Sequence, residues 1–221
     1  MSRLPMCVST RLLIVDDHMI IRRGLIQILG ENPRVEIAGE AADGAGALRI
    51  LRSQPVDVVL LDIALGERDG IDVLGTIRHE FPQVGVIMLS VYPESQFALR
   101  AIRSGANAYL NKGCAPEELF AAIVRAAEGG THVTPVIAEL MAHDIRGDRS
   151  RAPHETLSNR EYQVLQLLAQ GESVSGIAQQ LSLSANTIST YRARIFGKLG
   201  LRNNVELAGY AARHQLLTML W

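Results

Sequence analysis

Polar residues that could carry out phosphoryl chemistry follow four short apolar runs in the first half of the chain. They are Asp16 and Asp17 after LLIV, Asp62 after VDVVLL, Ser90 after VGVIML and Lys112 after AYL. If these runs are parallel strands, their carboxyl ends share one edge of a sheet, where the polar groups meet. Carboxylates packed together repel unless a cation or a raised pKa offsets their charges. Because a few hard oxygen ligands suit Mg²⁺, the sequence predicts a magnesium site.

Such a site can transfer a phosphoryl group to one of its own carboxylates. An aspartate beside Mg²⁺ can act as a nucleophile on phosphorus and form an acyl phosphate, which makes Asp62 the candidate phosphoacceptor. Lys112 and Ser90 are the candidates to stabilise charge on the phosphoryl oxygens. Lysines are rare in this chain, two against twenty arginines, and a compact ammonium suits the position of Lys112. The alternative is that Asp16, Asp62 and Ser90 simply cap the helices after the strands.

The elements that would position these residues are five strand–helix units between residues 11 and 130. Runs such as Val56–Leu61 and Val84–Leu89 are apolar without alternation, as strands buried on both faces of a parallel sheet require. This pattern predicts a doubly wound α/β domain, assigned here to residues 9–130. The expected architecture is a five-stranded parallel sheet with the flavodoxin-like order 2-1-3-4-5.

The rest of the chain, residues 155–221, has a purely helical pattern that follows a linker at 131–154, in which a short helix can form. Ser158 and Glu161 have capping-box spacing at the start of the first helix. Helices are predicted at 158–170, 174–181, 185–199 and 203–214. The short turn around residues 182–184 gives the second and third helices the spacing of a helix-turn-helix.

The third of these helices has two chemically different faces. One face carries Ile188, Tyr191, Ile195 and Leu199, and the opposite face carries Asn186, Ser189, Thr190 and Ala193. Beside the second face lie Thr187, Arg192, Arg194 and Lys198. In a DNA groove such a helix would have short base readers at its centre and phosphate-binding groups beside them. A generic bundle of three or four helices with a polar exposed face fits the same pattern.

Composition limits the compartment and the partners. A net charge of -1 and 48% hydrophobic residues are ordinary for a globular protein. Residues 155–221 carry six basic and four acidic side chains, a surplus that permits contact with phosphates. Cys7 and Cys114 cannot form a disulfide framework, which favours a reducing cytoplasm. No apolar run approaches the length needed to cross a bilayer, so no membrane partner is expected.

The acidic and strand-end residues resemble the motif set of the receiver domain of two-component response regulators. The resemblance extends over most of residues 9–130, and its motifs are the pair Asp16 and Asp17, the strand-end Asp62, Ser90, and Tyr109 three residues before Lys112. Two positions depart from the family pattern. Gly66 stands where a proline is usual four residues after the phosphoacceptor, and Asn111 replaces a more common apolar residue.

The resemblance to receiver domains implies roles for individual residues. The direct Mg²⁺ ligands would be Asp17, Asp62 and the backbone carbonyl of Ala64, with Asp16 bound through water, and the phosphate contacts would come from Ser90 and Lys112. Tyr109 would be a rotating switch aromatic, although an ordinary half-buried strand aromatic is the alternative at that position. His18, directly after the acidic pair, is expected to be a surface residue at a helix start, without a role.

The stretches LSNREYQVLQLLAQG, GIAQQL, NTISTYRARIFGKLGL and NNVELAGYAA resemble the LuxR-type DNA-binding domain, so the whole chain resembles a NarL/FixJ-type regulator. The resemblance implies base-edge contacts from Ser189, Thr190 and Ala193. It implies contacts to the DNA backbone from Thr187, Arg192, Arg194 and Lys198. It also implies dimerisation through the last helix, whose small-residue stripe is Val205, Ala208, Gly209 and Ala212. The same stripe could be the helix's own core face.

These resemblances imply a transcription regulator rather than an enzyme. The regulator would accept a phosphoryl group on Asp62 from a sensor histidine kinase and would bind double-stranded DNA as a homodimer. One alternative is a phosphorylation-independent DNA-binding regulator with a degenerate receiver, at which Gly66 hints. The other is a Mg²⁺-dependent phosphatase, although that chemistry usually needs a second acid two residues after the nucleophile, where Ala64 stands.

Overall fold

The computed structural model describes residues 9–65, 68–146, 152–181, 183–214 and 216–217. Cys7, Gly66, Ser182, residues 147–151 of the predicted linker and the last four residues of the chain lie outside the described residues. The structure divides into two compact units, one within residues 1–149 and the other within residues 150–221. None of the helices that the structure describes combines the length and the apolar character needed to cross a lipid bilayer.

The first unit is built on a parallel five-stranded sheet. Its strands are β1 (Thr10–Val15), β2 (Val35–Ala41), β3 (Val58–Asp62), β4 (Gly85–Ser90) and β5 (Ala108–Asn111). Their order in the sheet is β2-β1-β3-β4-β5, and each neighbouring pair is parallel. Strands β3 and β4 are buried along their whole length, as expected for strands covered by helices on both faces. The predicted fold class of this unit, including the strand order, is confirmed.

Five helices complete the strand–helix units. They are α1 (Met19–Gly30), α2 (Gly44–Ser53), α3 (Gly70–Glu80), α4 (Glu94–Arg103) and α5 (Pro116–Ala127). A hydrophobic core cluster joins apolar residues of β1, β3, β4 and β5 to α5, with Leu12, Leu60, Ile87 and Ile123 at most 1% exposed. Burial of such side chains supplies the main stabilisation of the unit, about 25 cal/mol for each Å² of apolar surface. This packing fixes the strand ends relative to one another.

Two of the predicted site residues lie within strands, whereas the sequence pattern placed them directly after the strands. Asp62 and Ser90 are the last residues of β3 and β4, instead of the first residues after those strands. Asp62 is paired with Leu89 in the sheet, and the next residue, Ile63, donates a backbone hydrogen bond to the carbonyl of Leu89. The sheet ladder therefore extends up to the site and holds the backbone of Asp62. After it, Ala64–Leu65 and Arg68–Asp69 form a short antiparallel pair that the pattern did not predict.

One further helix, α6 (Pro135–Ile145), lies within the stretch predicted as linker. Thr134 caps it by accepting a hydrogen bond from the Ile137 N–H, and Ile137 is fully buried. Thr134 also donates a hydrogen bond to the Glu94 carboxylate at the start of α4, and Arg103 at the end of α4 forms an ion pair with Asp144. The helix thus packs along α4 and belongs to the first unit.

The second unit is all-helical. It consists of a short 3-10 turn (Pro153–Thr156) and helices α7 (Asn159–Ala169), α8 (Val174–Gln180), α9 (Ala185–Leu199) and α10 (Asn204–Arg213). The capping box of Ser158 and Glu161 is present, and Ser173, Ser184 and Asn203 cap the three later helices through their side chains. Local sequence signals therefore fix where each of these helices begins. The four predicted helices are confirmed to within one or two residues.

Candidate functional site

Two of the predicted acids are buried at the carboxyl edge of the sheet. Asp16, directly after β1, and Asp62, at the end of β3, are 1% and 2% exposed. The Lys112 Nζ, directly after β5, lies 2.6 Å from Asp16 Oδ2 and 3.1 Å from Asp62 Oδ2. Three strand ends that are far apart in sequence thus meet, and one cation contacts both buried carboxylates.

The shared burial affects the carboxylate and the ammonium in different ways. Burial raises the pKa of Asp62, against the lowering effect of Lys112 and with a further rise from the charge of Asp16. A hydrogen bond from the Ala64 backbone N–H also stabilises the ionised form of Asp62. Burial alone would lower the pKa of Lys112, but the charges of Asp62 and Asp16 outweigh it, and the pKa is raised. Lys112 therefore stays a cation and partly offsets the clustered negative charge.

The third acid is nearer the surface and has a different partner. The Asp17 side chain is 29% exposed, and its Oδ1 lies 2.7 Å from Nδ1 of His18. The same imidazole nitrogen is 3.2 Å from Asp16 Oδ1, and the His18 backbone N–H donates to that oxygen at 2.8 Å. His18 was expected to be a surface residue without a role. Its ring is indeed 66% exposed, but it contacts both members of the acidic pair.

The donor set fits a divalent cation. Each of Asp16, Asp17, His18 and Asp62 offers a ligand atom, and these atoms all lie within 4.8 Å of one another. Three carboxylates in that space repel, and Lys112 is the one cation in contact with Asp16 and Asp62 in the part of the chain that the structure describes. A small number of hard oxygens beside open solvent is what Mg²⁺ accepts, with waters completing its shell.

Ser90 and Tyr109 are joined through a residue that sequence reasoning missed. The Ser90 Oγ accepts a hydrogen bond from the Tyr92 N–H at 2.9 Å, and the Tyr109 hydroxyl donates to the Tyr92 carbonyl at 3.2 Å. Tyr109 is fully buried, and burial raises the pKa of its hydroxyl. The Tyr92 ring in turn lies edge-on to Phe97 of α4, with 5.5 Å between centroids. Ser90 is thus connected to both Tyr109 and α4.

The capping alternative does not fit the helix starts. The N-cap residues of α1, α3 and α4 are His18, Asp69 and Pro93, and none of them is a member of the predicted site. A second missed residue is Gly70, where a Cβ would collide with the backbone carbonyl of Asp62. Only glycine therefore lets α3 begin against the backbone of Asp62 and Ile63. Its place directly after the capping residue of a helix was the available signal.

Helix α9 presents the predicted polar face to solvent. Ile188, Ile195 and Leu199 are buried, Tyr191 is partly buried, and Asn186, Ser189, Thr190, Ala193 and Arg194 are exposed. Thr187 lies beside the cap, with its hydroxyl 2.7 Å from that of Ser184. Arg192 donates to Asn204 Oδ1 at 3.2 Å, and its guanidinium lies 5.0 Å from the centroid of the Phe196 ring. The exposed face is therefore short and polar, with arginines beside it.

Lys198 differs from the two arginines of α9. Its Nζ lies 2.6 Å from Glu161 Oε2 and donates to the Thr156 carbonyl at 3.2 Å. Glu161 is 3% exposed and uses the same oxygen in its capping box. The charge of Lys198 therefore stabilises a buried carboxylate within the unit, a contact that the helical wheel did not reveal.

Helix α10 buries a different face from the predicted small-residue stripe. Leu207, Tyr210 and Ala211 make its core face, each at most 7% exposed. Of the stripe, Val205 and Ala212 are exposed, whereas Ala208 and Gly209 are partly buried. The stripe is therefore not the core face of the helix.

Comparison with known proteins agrees with both units. Residues 12–124 match the family model of the response regulator receiver domain, and residues 155–211 match that of bacterial regulatory proteins of the luxR family. The chain belongs to the NarL/FixJ family of two-component response regulators, transcription regulators with a receiver and a DNA-binding LuxR-type helix-turn-helix domain.

Its relatives are similar along nearly the whole chain. Response regulator UvrY of Escherichia coli (strain K12) is 36% identical over 205 residues, covering 92% of this chain and 94% of the relative. Transcriptional regulatory protein UhpA of the same strain is 37% identical over 195 residues, covering 88% and 94%. The structure of RcsB from Salmonella enterica serovar Typhimurium bound to promoter rprA, with the phosphomimetic BeF3-, has a TM-score of 0.60 at 25% identity and covers 92% and 98%.

Proposed function

We propose that Asp62 is the phosphoacceptor and that a sensor histidine kinase is the donor. One observation carries this proposal: buried carboxylates of Asp16 and Asp62 meet at the sheet edge in contact with the single ammonium of Lys112. In the transfer, a carboxylate oxygen of Asp62 attacks phosphorus, the bond from phosphorus to the donor nitrogen breaks, and the donor imidazole retains that electron pair.

The other residues of the site have separate tasks. We assign the divalent ion, Mg²⁺, to Asp17, Asp62 and the backbone carbonyl of Ala64, with Asp16 acting through water. When bound, the ion neutralises charge on the phosphoryl oxygens. Lys112 contributes a further positive charge at these oxygens, and the Ser90 hydroxyl contributes a hydrogen bond.

We propose that Ser90 and Tyr109 report the phosphorylated state to α4. If the Ser90 hydroxyl turns to the phosphoryl group, it leaves the Tyr92 N–H. Tyr92 also holds the Tyr109 hydroxyl and packs on Phe97 of α4, so one lost hydrogen bond affects all three. Shifting a regulator from 1:99 to 99:1 requires about 5.5 kcal/mol of preference between two states. Phosphorylation therefore has to act through such a two-state element rather than through charge alone.

We further propose that the second domain reads DNA with α9. Ser189, Thr190 and Ala193 are assigned to base edges, and Thr187, Arg192, Arg194 and Lys198 to the DNA backbone. Because the ammonium of Lys198 already pairs with Glu161, its part in phosphate contact is the smallest. The domains are assigned to residues 9–130 and 155–221, and within the connecting stretch 131–154 helix α6 packs on the first domain.

The active form is proposed to be a homodimer that uses α10. Its stripe of Val205, Ala208, Gly209 and Ala212 lies outside the core face of the helix, and Val205 is 83% exposed. An exposed apolar residue beside small ones lets two helix backbones approach closely. The RcsB structure named above includes promoter DNA, which supports the assignment of this domain to DNA.

The phosphoacceptor is tested by replacing Asp62 with asparagine in the full chain. We expect wild-type protein to form an acid-stable, hydroxylamine-sensitive acyl phosphate from a small phosphodonor with Mg²⁺, and Asp62→Asn to form none. The matched control is Asp72→Asn, at an exposed position on α3, which keeps wild-type labelling. Labelling of Asp62→Asn at the wild-type level would end the proposal. Sustained release of phosphate over many turnovers would favour the phosphatase instead.

The DNA assignment is tested by binding to genomic fragments selected with the phosphorylated protein. We expect Arg192→Ala and Arg194→Ala each to weaken binding and to reduce its salt dependence by about one counterion. Arg125→Ala, an exposed charge in the receiver, is the control and leaves binding unchanged. Binding that does not depend on either arginine of α9 would remove the recognition-helix assignment.

A further inference from the structure

His18 contacts the acidic pair closely although its side chain is largely exposed to solvent. Two thirds of its side chain is exposed, yet Nδ1 lies 2.7 Å from Asp17 Oδ1 and 3.2 Å from Asp16 Oδ1. Its backbone N–H donates to the same Asp16 oxygen at 2.8 Å. One residue therefore contacts both carboxylates of the acidic pair, once through its backbone and twice through its ring.

The proton on the imidazole follows from these partners. Ionised carboxylates only accept hydrogen bonds, so the nitrogen between Asp16 and Asp17 has to be the protonated one. Nδ1–H thus donates towards the acidic pair. A neutral imidazole with its proton on Nδ1 is sufficient to make this hydrogen bond. The hydrogen bond fixes the ring, and the ring in turn restricts the carboxylate of Asp17.

The two acids differ in how much they need this restraint. Asp16 is buried and is also held by Lys112 at 2.6 Å. Asp17 is 29% exposed, so packing restricts it much less, and the imidazole lies 2.7 Å from its carboxylate. The effect of His18 therefore falls mainly on the orientation of Asp17.

The start of α1 supports a role outside helix formation. His18 is the N-cap residue of α1, and its side chain makes no capping hydrogen bond, as is also the case for the N-cap residues of α4 and α5. The ring of His18 thus contacts the acidic pair and does not serve the start of the helix.

We propose that His18 is a positioning residue for the divalent ion: its imidazole holds Asp17 in the orientation that binds the cation. This inference rests on the assignment of Asp17 as a ligand under the proposed function. Partners that orient metal ligands typically change metal affinity by about 10–100-fold when they are removed. His18 acts through Asp17 and does not itself coordinate the ion.

The test is calorimetric titration of Mg²⁺ into the full chain without phosphodonor. We expect His18→Ala to weaken Mg²⁺ binding by about tenfold or more. His18→Asn places an amide N–H at nearly the same distance from the backbone as Nδ1–H, and it restores binding to within about threefold of wild type. The control is His79→Ala, an exposed histidine of α3, which leaves binding unchanged.

The outcomes separate this inference from the function on which it rests. Wild-type protein that binds no Mg²⁺ would contradict the proposed metal site itself. Mg²⁺ binding by wild type and His18→Ala with equal affinity, or by His18→Asn as weakly as by His18→Ala, would contradict the role of His18 alone. A directly coupled nitrogen in the spin-echo spectrum of bound Mn²⁺ that is lost in His18→Ala would make His18 a ligand, which also overturns the positioning role.

Discussion

The acidic edge of the sheet and the outer face of α9 place functional groups in opposite ways. At the sheet edge, Asp16 and Asp62 are at most 2% exposed and share the Lys112 ammonium. On α9, Ser189, Thr190 and Arg194 are exposed. The first set is held by packing and by mutual charge, whereas the second set is held only by the helix that carries it.

This difference predicts where function and stability are coupled. A buried charge that loses its partner destabilises the fold, because desolvation is no longer offset. An exposed side chain without such contacts can be exchanged within about 0.5 kcal/mol. Substitutions at the sheet edge should therefore change stability and chemistry together, while those on the outer face of α9 should change DNA binding alone.

The largest expected effect is that of Lys112→Ala. The substitution leaves Asp16 and Asp62 buried without their shared cation, and we expect the first unit to lose about 3–5 kcal/mol without divalent ions. Saturating Mg²⁺ should restore part of this loss, because the ion replaces the missing positive charge. The measurement is amide hydrogen exchange of β1 and β3 peptides, which reports this unit separately.

The matched control for Lys112→Ala is Arg23→Ala, whose side chain is 71% exposed and lies 4.0 Å from Glu40. It should change protection by no more than about 0.5 kcal/mol. Equal protection in Lys112→Ala and wild type would show that the buried carboxylates do not depend on the lysine. Substitutions at the sheet edge would then not be coupled to stability, and the proposed difference from the outer face of α9 would be wrong.

The next effect distinguishes two basic residues of the same helix. Lys198→Ala leaves Glu161, which is 3% exposed, without its cation, and we expect about 1–2 kcal/mol of destabilisation because the lysine itself is partly exposed to solvent. Arg194→Ala should leave stability unchanged but weaken DNA binding. Hydrogen exchange of α7 and α9 peptides measures the first property, and DNA titration measures the second.

The prediction for Lys198 and Arg194 has a definite failure. If Arg194→Ala destabilises the domain as much as Lys198→Ala, residues on the outer face of α9 also contribute to the stability of the domain. If Lys198→Ala leaves stability at the wild-type value while DNA binding falls, the ion pair with Glu161 does not stabilise the domain. Lys198 would then be a DNA contact like the two arginines of α9.

The same division separates what the sequence could predict from what it could not. Strand-end placement follows from topology, so Asp16, Asp62, Ser90 and Lys112 were found from apolar runs alone. The contact of His18 with Asp17 depends on a side-chain rotamer, which has no periodic signal. The pair of Lys198 and Glu161 joins residues 37 positions apart in sequence, and a helical wheel contains no information about a neighbouring helix.

A smaller effect is expected at the cap of α9. Ser184 accepts a hydrogen bond from the Thr187 N–H at 3.0 Å, and Ser184→Ala should cost about 1 kcal/mol. Ser189→Ala, on the exposed face of the same helix, also removes a serine hydroxyl and should cost less than about 0.5 kcal/mol. The pair compares identical changes on one helix, and α9 peptides in hydrogen exchange provide the measurement. Equal costs would mean that the cap does not set the start of the helix.

The smallest effect concerns a carboxylate with the opposite electrostatic situation from Asp62. Arg11 binds Asp57 through its backbone N–H at 2.8 Å, Nε at 3.0 Å and Nη2 at 2.6 Å. The hydrogen bond from the Arg11 side chain lowers the pKa of Asp57 below its ordinary value. Both side chains are partly exposed, 38% for Arg11 and 29% for Asp57, so solvent screening keeps the contribution of the pair to stability small.

The two aspartates should therefore respond to acid with opposite signs. For Asp57 the lowered pKa means that its stabilisation is present above the ordinary value of 3.8 and disappears as the pH falls through the folded-state value. For Asp62 the raised pKa means that folding is disfavoured as the pH rises through its folded-state value. Without divalent ions, Asp57→Asn should destabilise the protein and Asp62→Asn should stabilise it at neutral pH, and both differences should shrink in acid. Denaturant unfolding at several pH values measures them, and a shared sign would contradict the distinction between a paired surface carboxylate and the buried carboxylate of Asp62.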